Sequence, residues 1–157
     1  MEKTNVMRML DKAHIAYVPH TYAQEDGLID GASVAKKLSQ NPAQVFKTLV
    51  TQGAGGQYFV FAIPVLAELD LKKAAKSVGE KSIAMIPVAA INAVTGYIRG
   101  GCSPIGMKKN FVTVFDESAC AQKTICISAG KIGAQVELAP QLLLSLVRAK
   151  TAAIVTV

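Results

Sequence analysis

Two apolar runs joined by Gly53-Ala54-Gly55-Gly56 restrict the fold of this chain more than any other stretch. The first, Val45-Phe46-Lys47-Thr48-Leu49-Val50, has the composition of a strand. Residues 58–65, closing with Pro64, read as its antiparallel partner. Side chains of a strand alternate between its faces, so Lys47 shares a face with Val45 and Leu49, and that face is expected to be buried. An ammonium group there has two readings. Burial disfavours the charged form of a lysine, which is how reactive and substrate-seeking lysines arise. Equally, a long stem carries its charge out to water or guards an exposed sheet edge.

Around this hairpin the pattern predicts helices and strands in irregular order. Residues 3–13 place Val6, Met9, Leu10 and Ala13 at helical spacing, with Thr4 available as a cap. Residues 17–22 are expected to be extended, and Pro19 puts them at an edge. After the turn-rich segment Asp26-Gly27-Leu28-Ile29-Asp30-Gly31, Ser33 is expected to cap a short helix through Leu38, which Asn41-Pro42 ends. A helix over residues 69–78 has Asp70 near its positive end and Gly79 as its stop. Short strands are expected at 82–86, 111–115, 124–128 and 135–138. Pro87 opens one short helix and Pro140 another, and the tail 152–157 is apolar enough to dock on the core. No repeat, linker or low-complexity segment divides the chain, so one domain over residues 1–157 is expected. Strands outnumber helices without regular βαβ alternation. That predicts an α+β domain, its mixed or antiparallel sheet curled into a barrel-like core with helices packed around it.

With 157 residues, 51% of them apolar, the chain can build one real core. The apolar residues come in short segments, none of bilayer-crossing length, and the polar start Met1-Glu2-Lys3-Thr4-Asn5 leads into no signal-peptide core. A soluble cytoplasmic protein is expected. Cys102, Cys120 and Cys126 form no C-x-x-C pair, and with only His14 and His20 to help, their spacing fits no familiar zinc site. Free thiols in a reducing compartment are expected, with neither metal nor cofactor. The net charge of +6 favours polyanionic partners such as nucleic acid. Its small clusters, Lys36-Lys37, Lys72-Lys73 and Lys108-Lys109, suit phosphate backbones and not base-edge readout.

Two glycine-rich loops are candidates for chemistry, because bare backbone N–H groups can approach an anion or a developing oxyanion closely. One is Gly100-Gly101 followed by Ser103-Pro104; the other spans residues 128–133. Neither is a phosphate loop of the Walker type, since Cys102-Ser103 stands where lysine should follow, and no G-x-G-x-x-G occurs. Glycines serving tight turns are the plainer account of both. Cys102, beside two glycines, is a formal candidate nucleophile with His20 as its base. No signature of a cysteine-hydrolase family surrounds it, and nothing in the sequence brings His20 near. His14 reads as a surface residue.

Taken together, these segments resemble the YbaK/EbsC family of free-standing aminoacyl-tRNA deacylases, which are similar to the editing insertion domain of bacterial prolyl-tRNA synthetases. The matching pieces are the Tyr22 strand, Pro42 with Val45-Phe46-Lys47-Thr48-Leu49, Ile63-Pro64-Val65, and Glu68-Leu69-Asp70-Leu71-Lys72-Lys73-Ala74-Ala75-Lys76. Thr95-Gly96-Tyr97, Gly100-Gly101-Cys102-Ser103-Pro104-Ile105-Gly106 and Ser128-Ala129-Gly130-Lys131 complete a match over nearly the whole chain. The resemblance implies removal of a wrongly attached amino acid from tRNA, chiefly cysteine from the acceptor end of proline tRNA. Prolyl-tRNA synthetase is the implied partner, in transient contact. Lys47 takes the position of the family's functional lysine, and Tyr22, Thr48, Gly100, Gly101, Ser103, Ser128 and Gly130 are the implied substrate contacts. Two positions depart from the pattern: Gln135 stands where members often carry an acidic residue, and Cys102 fills the open place of the GGxSP motif. A binding module that captures tRNA or a nucleotide-like ligand without catalysis is the alternative, as is a deacylase for another small aminoacyl group.

Overall fold

The computed structural model describes residues 2–157. Helix α1 (Asn5–Lys12) begins at the expected cap: the Thr4 hydroxyl accepts from the Met7 amide at 3.2 Å, and Val6, Met7 and Leu10 form the buried face. Strand β1 (Val18–Thr21) leads to α2 (Gly31–Lys37). The expected cap of α2 is corrected. Asp30, not Ser33, caps it, accepting from the Ser33 amide at 3.1 Å and the Ser33 hydroxyl at 2.7 Å. A carboxylate three residues ahead of Ser33 supplies two acceptors, so the helix starts earlier than the serine suggested.

The hairpin is present as β2 (Phe46–Gly53) and β3 (Tyr58–Pro64), antiparallel, with Lys47 opposite Ile63 and Val50 opposite Val60. Helix α3 (Leu71–Ser77) follows Asp70, whose carboxylate accepts from the Lys72 and Lys73 amides, both at 3.0 Å. Then come β4 (Ile83–Met85), α4 (Ile91–Thr95), β5 (Val112–Asp116), β6 (Ile125–Ser128), β7 (Ala134–Leu138), α5 (Pro140–Val147) and β8 (Lys150–Ala152).

These strands build two sheets. One is mixed and five-stranded, in the order β4-β2-β3-β5-β8, with β5 parallel to both β3 and β8; the other is antiparallel, in the order β1-β7-β6. The expected edge position of the Pro19 strand is observed. The expected barrel is not closed among the described residues. After the 3-10 turn Pro42–Gln44, Val45 meets Cys126 of β6 at one isolated bridge, and β2 then pairs within the larger sheet.

The space between the sheets is filled instead by side chains. Phe46, Phe115, Ile125, Ile127, Val136 and Leu138 form one core with α1 and α5, the Phe46 and Phe115 rings lying 6.2 Å apart. On the opposite face of the large sheet, Phe59, Phe61, Ile63 and Val114 pack under Ala74 and Ala75 of α3. Strand β3 is therefore covered on both faces, which explains its unbroken apolar run. The tail docks as expected: Ile154 is buried, its amide donating to the Asp116 carboxylate at 3.1 Å. No helix among the described residues is long and apolar enough to cross a membrane.

Candidate active site

Where β2 enters the larger sheet, a cavity of about 610 Å³ opens between that strand, the segment after β1, the start of α2 and the Gly100 turn. Tyr22, Lys47, Thr48, Arg99, Gly100 and Ser128 are among its lining residues. Lys47 is half-buried, and its face is more open than expected: Val45 is buried, but Leu49 is also only partly covered. The strand pairs here with β3 on one side, and its other neighbour, β4, reaches only as far as Thr51. That leaves residues 46–49 on the cavity lining, with no β4 partner beside them. Among the described residues the Lys47 ammonium group has no ion-pair or hydrogen-bond partner, in contrast to the paired Lys3 and Lys37. The adjacent Thr48 hydroxyl is buried and also unpaired.

The two glycine loops meet each other. Gly100 adopts φ +86°, a conformation favouring glycine, and a Cβ there would stand 2.8 Å from Ile29 Cδ1. At Gly101 a Cβ would stand 3.1 Å from backbone atoms of Lys131 and Ile132, so this glycine permits contact between the two loops. Gly101 and Gly130 are not on the cavity lining. Nor is Ser103, which is fully buried, its hydroxyl accepting from the Ile105 amide at 3.3 Å. Ser128 does line the cavity, and its hydroxyl holds the Gly130 amide at 3.1 Å. The structure thus brings five of the eight expected site residues to the cavity and leaves Gly101, Ser103 and Gly130 behind its wall.

Cys102 also lines the cavity, but burial pushes its thiol up to about 11, which keeps it protonated near neutral pH. His20 does not line it. Its Nε2 lies 2.8 Å from Glu137 Oε1, and Thr124 donates to the other Glu137 oxygen at 2.6 Å. These contacts, the Thr124 hydroxyl first and His20 second, hold the Glu137 carboxyl below its usual range. Cys126 completes a set whose donor atoms lie within 4.8 Å of one another, a proximity that spacing in the chain did not disclose. Burial first, and Glu137 second, push the Cys126 thiol up to about 12. The His20 and Thr124 hydrogen bonds to Glu137, with Cys126 placed opposite Glu137 by the β6–β7 register, account for the grouping.

Sequence reasoning missed Arg99 on the cavity lining and the Gln40 partner of Gln135. Arg99, exposed at the cavity rim, directly precedes Gly100; its neighbour in the motif was the available signal. Gln135 is almost fully buried yet lines the cavity, its side-chain oxygen accepting from Gln40 Nε2 at 2.8 Å. That pairing spans 95 residues and had no local signature.

Taken together, fold and cavity define a two-sheet α+β protein whose pocket is lined by Arg99, the Gly100 turn and a lysine, Lys47, unpaired among the described residues. Residues 30–146 match the model of a family described as the aminoacyl-tRNA editing domain. Over 155 residues the chain is 45% identical to an Enterococcus faecalis protein, covering 99% of this chain and 94% of the relative, which carries the provisional name Cys-tRNA(Pro)/Cys-tRNA(Cys) deacylase EbsC. The chain belongs to the aminoacyl-tRNA editing family. Its fold recurs in a solved structure described provisionally as a trans-editing enzyme for prolyl tRNA synthetase, with TM-score 0.83 at 21% identity, covering 99% of this chain and all 100% of the other. It recurs also in the hypothetical protein APE2540, with TM-score 0.88 at 20% identity over 98% of this chain and 100% of that one.

Proposed function

We propose that this protein is an aminoacyl-tRNA deacylase that edits mischarged tRNA in trans, chiefly cysteinyl-tRNA(Pro), the whole chain acting as one editing domain. The observation that carries this reading is the unpaired Lys47 ammonium group on a cavity whose own thiol, Cys102, is held protonated. The bond to be cut is an ester to the terminal ribose, and the cavity is roomy enough for more than an amino acid. Once the cysteinyl group is held there, its own thiolate attacks the ester carbonyl, forming a C–S bond and a tetrahedral oxyanion. Collapse of that intermediate breaks the bond to the ribose oxygen, which takes up the proton lost by the thiol. The products are intact tRNA and a cyclic thiolactone, which water then opens.

Lys47 is the proposed catalytic residue, stabilising the developing negative charge, while the Gly100 turn brings backbone close to the substrate. Tyr22, Thr48 and Ser128 are proposed substrate contacts from the cavity wall, with Gly101, Ser103 and Gly130 maintaining the shape of the loops behind it. Arg99 at the rim and the exposed lysines suit the acceptor-end phosphates. Prolyl-tRNA synthetase, source of the mischarged product, is the proposed transient partner.

The position of Cys102 on the cavity favours one second reading, a protein-thiol hydrolase, which its raised pKa opposes. A panel of cysteinyl-, alanyl-, seryl- and prolyl-tRNA, tested with wild type, Lys47→Ala and Cys102→Ala, separates the readings. The deacylase account expects turnover of the cysteinyl substrate that needs Lys47 and not Cys102. Binding of every tRNA with turnover of none would leave a non-catalytic module.

A further inference from the structure

A second lysine stands near the cavity without facing it. Lys37 ends α2 with its side chain only 20% exposed. Its ammonium group donates to three oxygens of a single segment: the Ala23 carbonyl at 2.6 Å, Asp26 Oδ1 at 2.8 Å and the Leu28 carbonyl at 2.8 Å. Lysine has three N–H donors, so all are spent on this one stretch of chain. The same nitrogen lies 5.9 Å from the centre of the Tyr22 ring.

That segment needs such a tie. Every residue from 23 to 28 is exposed, so no buried side chain anchors it to the core. Its own bonds are local: the Gly27 amide to the Gln24 carbonyl at 3.1 Å, and the Leu28 amide to the Asp26 carboxylate at 3.0 Å. Yet it delivers Tyr22, Gly27, Ile29 and Asp30 to the cavity lining, and Ile29 sits directly against Gly100.

We propose that Lys37 is a positioning residue, clamping segment 22–31 against the Gly100 turn and so setting the wall of the cavity in which Lys47 acts. The kinetic consequence rests on the deacylase reading; the clamp itself does not. Three acceptors converging on one point suit a compact ammonium group, whereas the planar fork of arginine cannot meet all three.

The test compares wild type with Lys37→Met, which keeps the stem and removes the donors, and with Lys37→Arg and Asp26→Ala. Backbone hydrogen exchange is read first, without substrate. In Lys37→Met, the hydrogen-bonded amides of Gly27, Leu28 and Ile29 should exchange about tenfold faster while β3 is unchanged, the pattern of local opening. With cysteinyl-tRNA(Pro), KM should rise about fivefold and kcat stay within about twofold, as expected when only substrate positioning is loosened. Lys37→Arg should recover part of both effects, and Asp26→Ala, which removes one acceptor from the opposite side, should reproduce them in smaller measure. Unchanged exchange at the Gly27, Leu28 and Ile29 amides, or exchange rising equally in β3, would overturn the clamp, and a loss confined to kcat would overturn its link to substrate binding. If wild type turned over no aminoacyl-tRNA, the deacylase reading would fall while the exchange result still decided the clamp.

Discussion

Lys47 and Cys102 line one cavity, and their chemistry pulls in opposite directions. The lysine offers an unpaired cation beside an unpaired Thr48 hydroxyl, whereas burial keeps the cysteine a thiol. Lys47→Ala is therefore expected to cut deacylation by about 10²-fold or more, the usual loss when one preorganised charge-stabilising donor is removed. Its melting temperature should barely change, because no hydrogen bond or ion pair is lost. Cys102→Ala should keep its rate within about threefold, a change too small for loss of a nucleophile. Glu137 makes a different prediction, about pH. Its carboxyl is held below the usual 4.5, so the folded form binds fewer protons than the unfolded one near that value. Its contribution to stability is present above about pH 4.5 and is lost as the pH falls through the lower, folded value. Glu137→Gln should lower the melting temperature at neutral pH and flatten the acid limb, so that the two profiles converge at low pH. At this scale the sequence was legible for Lys47, because a charge in an apolar strand is conspicuous. It was silent on Gln40 meeting Gln135 and on Cys126 meeting His20, which depend on sheet register across the chain.

Among the elements, the caps and the glycine turns hold the site's scaffold in place. Asp70 receives two amides at the start of α3, far from the cavity lining, so Asp70→Ala should cost about 1 kcal/mol in chemical denaturation and leave deacylation intact. Gly101→Ala is the harsher change, since its Cβ would meet the backbone of the second loop at 3.1 Å. A cost of about 1–3 kcal/mol is expected from overpacking, with activity falling as the Gly100 turn is displaced. The hairpin, α1 and α3 were readable because period and caps agree there. One cap was misread, and the partners of one expected strand could not be read, each for a physical reason. Ser33 lost the cap of α2 to a carboxylate with two free oxygens, and the parallel pairing of β5 with β3 and β8 leaves no turn signal by which to recognise it. The barrel-like closure is not confirmed: β6 and the start of β2 are joined by the single bridge of Val45 to Cys126.

Over the whole molecule, the excess of positive charge is not equally available. Lys73 is tied to the Val155 carbonyl at 3.1 Å and Lys108 to the Ala93 carbonyl at 3.3 Å, whereas Lys72 and Lys109 are exposed, their ammonium groups making no hydrogen bond among the described residues. Binding of tRNA should weaken steeply with salt, and Lys72→Glu, Lys109→Glu or Arg99→Gln should each lower the log–log slope by about one if that residue meets a phosphate. A salt-independent affinity would remove electrostatic guidance from the account. The central claim, however, is that the substrate supplies its own nucleophile. It is tested most directly by comparing cysteinyl and seryl groups on the same proline tRNA, under single turnover. Serine is nearly isosteric, so fit alone distinguishes the two poorly. A thiol with pKa of about 8.5 is a few per cent thiolate at neutral pH, and a hydroxyl is essentially un-ionised. Cysteinyl-tRNA should react about 10²-fold faster or more, in keeping with the greater nucleophilicity of a thiolate, and release a thiolactone detectable by mass before it opens. Equal rates, with solvent oxygen already in the first amino acid released, would contradict the claim and assign the attack to water.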